Sequence, residues 1–126
     1  MKKIITTTNA PAPIGPYNQA VLSGNTLYTS GQIALNPKTG ELILGDIKTE
    51  TKQVMENMKA VLKAANMTFD NVIKSSIFIS DMNNFSEINA IYGSYFDDTN
   101  APARETVEVA RLPKNVNVEI SMIAIK

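Results

Sequence analysis

The sequence contains no cysteine, no histidine and no tryptophan among its 126 residues. Without cysteine, no disulfide framework can brace the fold, which fits a reducing compartment. Without cysteine and histidine together, a Ser-His-Asp triad, a thiol nucleophile and a zinc centre of the usual kind are excluded. An excess of charge of one sign is also lacking: twelve basic residues balance twelve acidic ones. No dense Lys/Arg cluster stands out, so neither nucleic acid nor a membrane surface is the expected partner. No stretch approaches the ~18 apolar residues of a membrane span. Met1-Lys2-Lys3-Ile4-Ile5 carries the charge of a signal peptide, but Thr6-Thr7-Thr8-Asn9 stands where its apolar core would be. A cytoplasmic protein is expected. Any catalysis must draw on carboxylates, Arg, Lys, Tyr, Ser, Thr, backbone groups and water.

What is present reads as one domain over residues 1–126, without repeat, linker or low-complexity tract. A short strand is expected over Lys3 to Thr7, with the Thr6-Thr7-Thr8 run strand-forming. Pro11, Pro13 and Pro16 then rule out regular helix and make a stiff loop that delivers Tyr17. Asn18–Leu22 and Thr26–Thr29 flank Ser23-Gly24-Asn25 as a β-hairpin. Asn36-Pro37-Lys38-Thr39-Gly40 is a turn. Asp46 suits a helix N-cap; Val54, Met58, Val61, Leu62 and Ala65 recur at helical spacing, with Met55 beside them, and Asn66 can end the helix. The methionines Met55, Met58 and Met122 read as core filler.

Val72–Ser80 reads as a strand, with Ile73, Ile77 and Ile79 on one face and Phe78 on the other. A second helix is predicted from Asn84, with Glu87 in a capping-box relation and Phe85, Ile88, Tyr92, Tyr95 and Phe96 as its apolar stripe. Strands over Thr106–Ala110 and Val116–Ile125 close the chain. In the last, Val116, Val118, Ile120, Met122 and Ala124 share one face, and Asn117, Glu119, Ser121, Ile123 and Ile125 the other. The order β-β-β-α-β-α-β-β fits an α+β fold with a mixed six-stranded sheet and two helices on one face. Ile123 and Ile125 leave the other face in need of cover, so oligomerisation is expected.

Two residues carry most of the chemical interest. Arg104 follows Pro102-Ala103 near the start of a strand, and its planar fork can bind a carboxylate bidentately; a surface arginine, or an ion pair with Glu105, is the plainer reading. Glu119 lies in an apolar strand, flanked on its face by Asn117 and Ser121. Half buried there it would hold its proton more tightly and could shuttle it; a solvated strand glutamate is the alternative. Tyr17 could pack as a core residue, Ser30 could cap a turn, and Gly31 could serve close backbone approach.

Longer motifs go further. Asn9-Ala10-Pro11-Ala12-Pro13-Ile14-Gly15-Pro16-Tyr17, Thr29-Ser30-Gly31-Gln32-Ile33 and Asn36-Pro37-Lys38-Thr39-Gly40-Glu41 resemble the start of the Rid (reactive intermediate deaminase, or YjgF) family. Pro102-Ala103-Arg104, Val107-Glu108-Val109-Ala110-Arg111-Leu112-Pro113-Lys114 and Val118-Glu119-Ile120 are similar to its later signature, and the likeness runs end to end. The resemblance implies a chorismate-mutase-like fold, a homotrimer with active sites in clefts between subunits, and no cofactor or metal. It also implies hydrolysis of enamines and imines such as 2-aminoacrylate and 2-iminobutyrate to 2-keto acids and ammonia. In that reading Arg104 holds the substrate carboxylate and Glu119 orients water or moves a proton. Tyr17, Ser30 and Gly31 line the cleft and hold the nitrogen end or the water, and Asn89 on the second helix falls near a pocket position, a helix-surface amide being the alternative. Thr106 stands in the binding region where many members carry Cys; water attack on an imine does not need a thiol. Strand alternation turns Glu105 away from Arg104. The competing functions are a keto-acid-binding regulatory trimer without turnover and RNA cleavage, against which neutral charge and absent histidine argue.

Overall fold

The computed structural model describes all 126 residues. Six strands form one mixed sheet in the order β1-β2-β3-β6-β4-β5: β1 Lys2–Ile5, β2 Ala20–Ser23, β3 Thr26–Thr29, β4 Val72–Ile79, β5 Ala103–Glu108 and β6 Val118–Ile125. Helices α1 (Ile47–Ala64) and α2 (Phe85–Gly93) complete the predicted element order. Neighbouring strands are antiparallel except β4 and β5, which run parallel and therefore need the crossover that α2 supplies. No helix is long and apolar enough to cross a membrane.

The β2–β3 hairpin pairs Ser23 with Thr26, leaving Gly24-Asn25 as a two-residue loop. Gly24 has φ +60°, a backbone most side chains resist and a tight hairpin requires. Asp46 caps α1 as its sequence position predicts, accepting from the Lys48 N–H at 2.9 Å. Asn66 follows the helix at φ +58°. Val54, Met55, Met58, Val61 and Leu62 of α1 are fully buried against the sheet. Val118, Ile120, Met122 and Ala124 of β6 meet them from below, and one apolar core links both helices to this face.

Four local expectations are corrected. β1 ends at Ile5, so the threonine run is not strand: the side chain of Gln19 takes both the N–H and the C=O of Thr7. Ile73 does not share a face with Ile77 and Ile79. A register shift between Val72 and Lys74 makes a bulge that turns Val72 inward and leaves Ile73 exposed, with the fully buried Ser75 taking the place alternation assigns. Asn84 makes no side-chain cap for α2; the chain enters through a short 3₁₀ turn capped one turn earlier by Asp81, which accepts from Asn83. β5 begins at Ala103 rather than Thr106, which places Arg104 inside the ladder, and β6 begins at Val118.

The face of the sheet away from the helices has no helix over it; only around Glu119 do the proline loop and residues 31–35 approach it. The cross-strand row Ile4, Val21, Tyr28 and Ile123 lies there, as does the row Val107, Phe78 and Glu119. Ile4, Tyr28, Val107 and Ile125 are exposed. Exposed apolar rows on one sheet face, here with Ser121, Ser76 and Glu105 between them, are uncommon on a monomer.

Candidate active site

The sequence-derived site residues fall into two groups. The first surrounds Glu119. The proline loop is held by one buried side chain: Gln19 Nε2 donates to the carbonyls of Thr7 (2.9 Å), Ala10 (3.2 Å) and Pro11 (2.9 Å), while its Oε1 accepts from the Thr7 N–H at 2.8 Å. Fixed in this way, the loop sets out Tyr17 with its N–H bonded to Gly15 O and its ring beside Gly15. Tyr17 is therefore not a core residue; it stands 47% exposed on the rim of a cleft.

Beyond β3, Gln32 exchanges both backbone hydrogen bonds with Ile120, laying the Ser30-Gly31-Gln32 segment along β6. Gly31 is needed for close approach: a Cβ there would lie 2.7 Å from Glu119 Oε2. Ser30 Oγ donates to the Asn18 carbonyl at 2.5 Å, so its proton is committed to the loop while its lone pairs are free. Tyr17, Gly31 and Glu119 line one cleft of about 90 Å³, walled by Pro11, Ile14, Ile33 and Leu35. The Glu119 carboxylate receives no hydrogen bond, and burial beside these apolar walls pushes its pKa above the ordinary carboxylate value.

The second group surrounds Arg104. Arg104 pairs in register with Ser75 of β4 and projects on the helix side of the sheet. There it donates from an Nη to Asn89 Oδ1 of α2 at 2.7 Å. Its guanidinium carbon lies 5.1 Å from the Tyr92 ring centre and 5.7 Å from that of Phe85, within cation–π range. No carboxylate pairs with it. The one salt bridge in the chain joins Lys74 to Glu105 at 2.7 Å on the opposite face, where Glu105 also accepts from Ser76. These two partners lower the Glu105 pKa, Lys74 first, and keep its charge away from the arginine. Thr106, two residues on and on the same side as Arg104, has an enclosed Oγ1 with no hydrogen-bond partner.

Arg104 thus meets Asn89, with Thr106 on the same side of β5, while Glu119 approaches Gly31 and shares a cleft with Tyr17; Ser30, bonded to Asn18, is not among the residues lining it. Strand alternation puts the two groups on opposite faces of one sheet. Sequence reasoning missed Gln19, the anchor of the proline loop, because a polar residue beside a strand carries no signal of burial. It also took Tyr92 and Phe85 only as core, although their spacing from Asn89 was a clue to a shared surface.

The chemistry within reach is specific. An unpaired guanidinium with ring support offers a planar binding place for a carboxylate. An unbonded carboxylate with a raised pKa offers a place to take up and return a proton.

Comparison with known proteins shows the family. The profile of the family described as endoribonuclease L-PSP matches residues 7–126. A RutC family protein of Pyrococcus horikoshii is 52% identical over 126 residues, spanning 100% of this chain and 99% of its own length. The 2-iminobutanoate/2-iminopropanoate deaminase of Escherichia coli K12 is 48% identical over 128 residues, spanning 100% of this chain and 99% of that protein. A crystal structure of a conserved Rid-family protein from Yersinia pestis superposes with a TM-score of 0.97 at 50% identity, with 100% of both chains covered. With this fold, these motifs and a family match over nearly its whole length, the chain belongs to the Rid family, which carries the names YjgF and endoribonuclease L-PSP as well.

Proposed function

We propose that the protein hydrolyses 2-imino acids and their enamine tautomers, such as 2-iminobutyrate and 2-aminoacrylate, to 2-keto acids and ammonia. The observation that carries this reading is the Arg104 guanidinium, supported by Asn89, Tyr92 and Phe85 yet free of any carboxylate of its own chain. A relative 48% identical over the full chain bears the name of that activity.

One copy of the chain cannot bring Arg104 and Glu119 to the same small molecule, since the sheet lies between them. The reading needs more than one copy, and in it the working unit is a homotrimer, each cleft taking Arg104 from one subunit and Tyr17, Gly31 and Glu119 from the next. Bound through its carboxylate, the substrate has its C=N carbon fixed, which supplies much of the advantage over free solution. Water adds to that carbon and gives up a proton as the nitrogen gains one, forming a carbinolamine. The C–N bond then breaks and ammonia leaves, with the oxygen of water retained as the keto oxygen. Glu119 is the relay for these transfers, a role typically worth about 10²–10⁴-fold. Thr106 Oγ1 and the Ser30 lone pairs are further hydrogen-bonding groups for the substrate and the water.

The test is keto-acid release from imino acids generated in situ by an amino-acid oxidase, with semicarbazide as competing trap. Wild type should accelerate release and sediment as a trimer. Arg104→Ala should lose the acceleration while remaining folded, since Arg104 is exposed and outside the core. Arg104→Lys should also fail largely, because a point charge does not reproduce the fork. No acceleration by wild type would overturn the reading; binding of keto acid without turnover would identify a regulatory trimer instead.

A further inference from the structure

We propose that Tyr92 is a positioning residue for Arg104, holding the guanidinium flat and facing the cleft so that the substrate does not have to order it. This rests on the reading of Arg104 as the carboxylate clamp. The sequence of α2 sets Phe85, Asn89 and Tyr92 at i, i+4 and i+7, one stripe of a helix. Asn89 Oδ1 accepts from one Nη, and the guanidinium carbon lies over both rings, 5.1 Å from the Tyr92 centre and 5.7 Å from that of Phe85. A long side chain without such support samples many rotamers, and its ligand must overcome that freedom on binding.

What distinguishes Tyr92 from an ordinary core aromatic is where its hydroxyl goes. The side chain is 4% exposed, and its O–H reaches Ser75 Oγ at 2.9 Å. Ser75 is fully buried and is the residue paired with Arg104 across the β4–β5 ladder. Arg104 is consequently gripped at both ends by one strut: its backbone lies beside Ser75, Ser75 holds the Tyr92 hydroxyl, and the Tyr92 ring carries the guanidinium. Tyr92 also packs on Phe96 with ring centres 4.8 Å apart, which accounts for its burial but not for a hydroxyl aimed at β4. Burial raises the Tyr92 pKa, so the strut remains a neutral donor and the ring a neutral platform.

The chain has only two arginines, Arg104 and Arg111, so an amide-selective spectrum of the labelled protein contains two Nε–H signals. Arg104→Lys identifies which is Arg104. In wild type the Arg104 signal should lie upfield, shifted by the rings, and exchange slowly with water. Tyr92→Leu should move it toward the unshifted position, speed its exchange and raise both KM and the Kd for 2-oxobutyrate about tenfold, with kcat within about twofold. Tyr92→Phe and Ser75→Ala, which keep the ring but release it from β4, should produce the same shift and the same KM effect at about threefold. An unmoved Arg104 signal in these variants overturns the proposal, and so does a moved signal with unchanged KM and Kd. If Tyr92→Leu does not fold, the two milder variants decide. A wild type with neither turnover nor keto-acid binding would overturn the deaminase reading, while the resonance would still report whether Tyr92 holds Arg104.

Discussion

Arg104 and Glu119 occupy strands separated only by β4, yet their side chains lie on opposite faces of the sheet. Arg104 stands in the row of Ser75 on the helix side; Glu119 stands in the row of Phe78 and Val107 on the open side. The separation follows from period-two alternation and no rotamer change repairs it.

That relationship makes the shared site testable by complementation. Arg104→Ala and Glu119→Gln as pure proteins should each retain at most about one hundredth of wild-type activity. Co-refolded in equal amounts, they should recover about one quarter of wild-type activity, because random assembly of a symmetric ring pairs an intact Arg104 with an intact neighbouring Glu119 at that frequency. Recovery absent from trimers shown by mass spectrometry to be mixed would rule out a site divided between subunits.

Gly31 gives a second test. A methyl group at this position would sit 2.7 Å from Oε2, 2.8 Å from Cδ and 2.9 Å from Cγ of Glu119. Glu119 has no hydrogen bond to hold it, so the carboxylate swings aside at small cost in stability. Gly31→Ala should keep the thermal midpoint and the Arg104-dependent keto-acid affinity but lose about 10²-fold in kcat, the usual penalty of a misplaced catalytic group. The effect should vanish in a Glu119→Ala background, a non-additivity that marks direct coupling. Additive losses would mean that Gly31 acts on something other than Glu119.

The proline loop depends on Gln19 in a way that stability measurements can isolate. Gln19→Ala removes three donated bonds and one accepted bond in a buried setting. The cost should be about 1–3 kcal/mol in denaturant unfolding, the range for leaving buried polar groups without partners. KM should rise as well, because Tyr17 follows directly on the released loop. A stability loss with unchanged kinetics would separate the loop's fastening from the site.

Much of this architecture was legible because periodicity reports burial. The alternation in Val116–Ala124 and the stripe from Val54 to Ala65 each bury the face they imply. Ile73 escaped because a bulge changes the phase of alternation without changing composition, and the α2 cap escaped because a 3₁₀ turn moves the capping residue back to Asp81. The family motifs pointed to Arg104 and Glu119, but neither motif nor pattern reveals that Arg104 stacks on Tyr92 or that Gln19 holds the loop. Those contacts join residues 12 positions apart and 8–12 positions apart, and only the folded chain determines which polar group finds which partner.

Glu119 should trade stability for activity in a pH-dependent way. Its folded-state pKa is raised by burial above the ordinary 4.5, so between that value and the folded pKa the native protein keeps a proton the unfolded chain has lost. Stability from this group therefore falls as pH rises through the window, and the penalty is fully present above it. Glu119→Gln removes the penalty. At neutral pH the variant should melt at a higher temperature than wild type, and the difference should close as pH falls below 4.5. Turnover should move the other way: the acid limb of wild-type kcat/KM should lie above the pH of an ordinary carboxylate and be missing from the residual rate of the variant. Thermal scans and rates between about pH 4 and about pH 8 cover both limbs. A variant less stable than wild type at neutral pH would show Glu119 to be a stabilising surface charge and would remove the ground for its role as a proton relay.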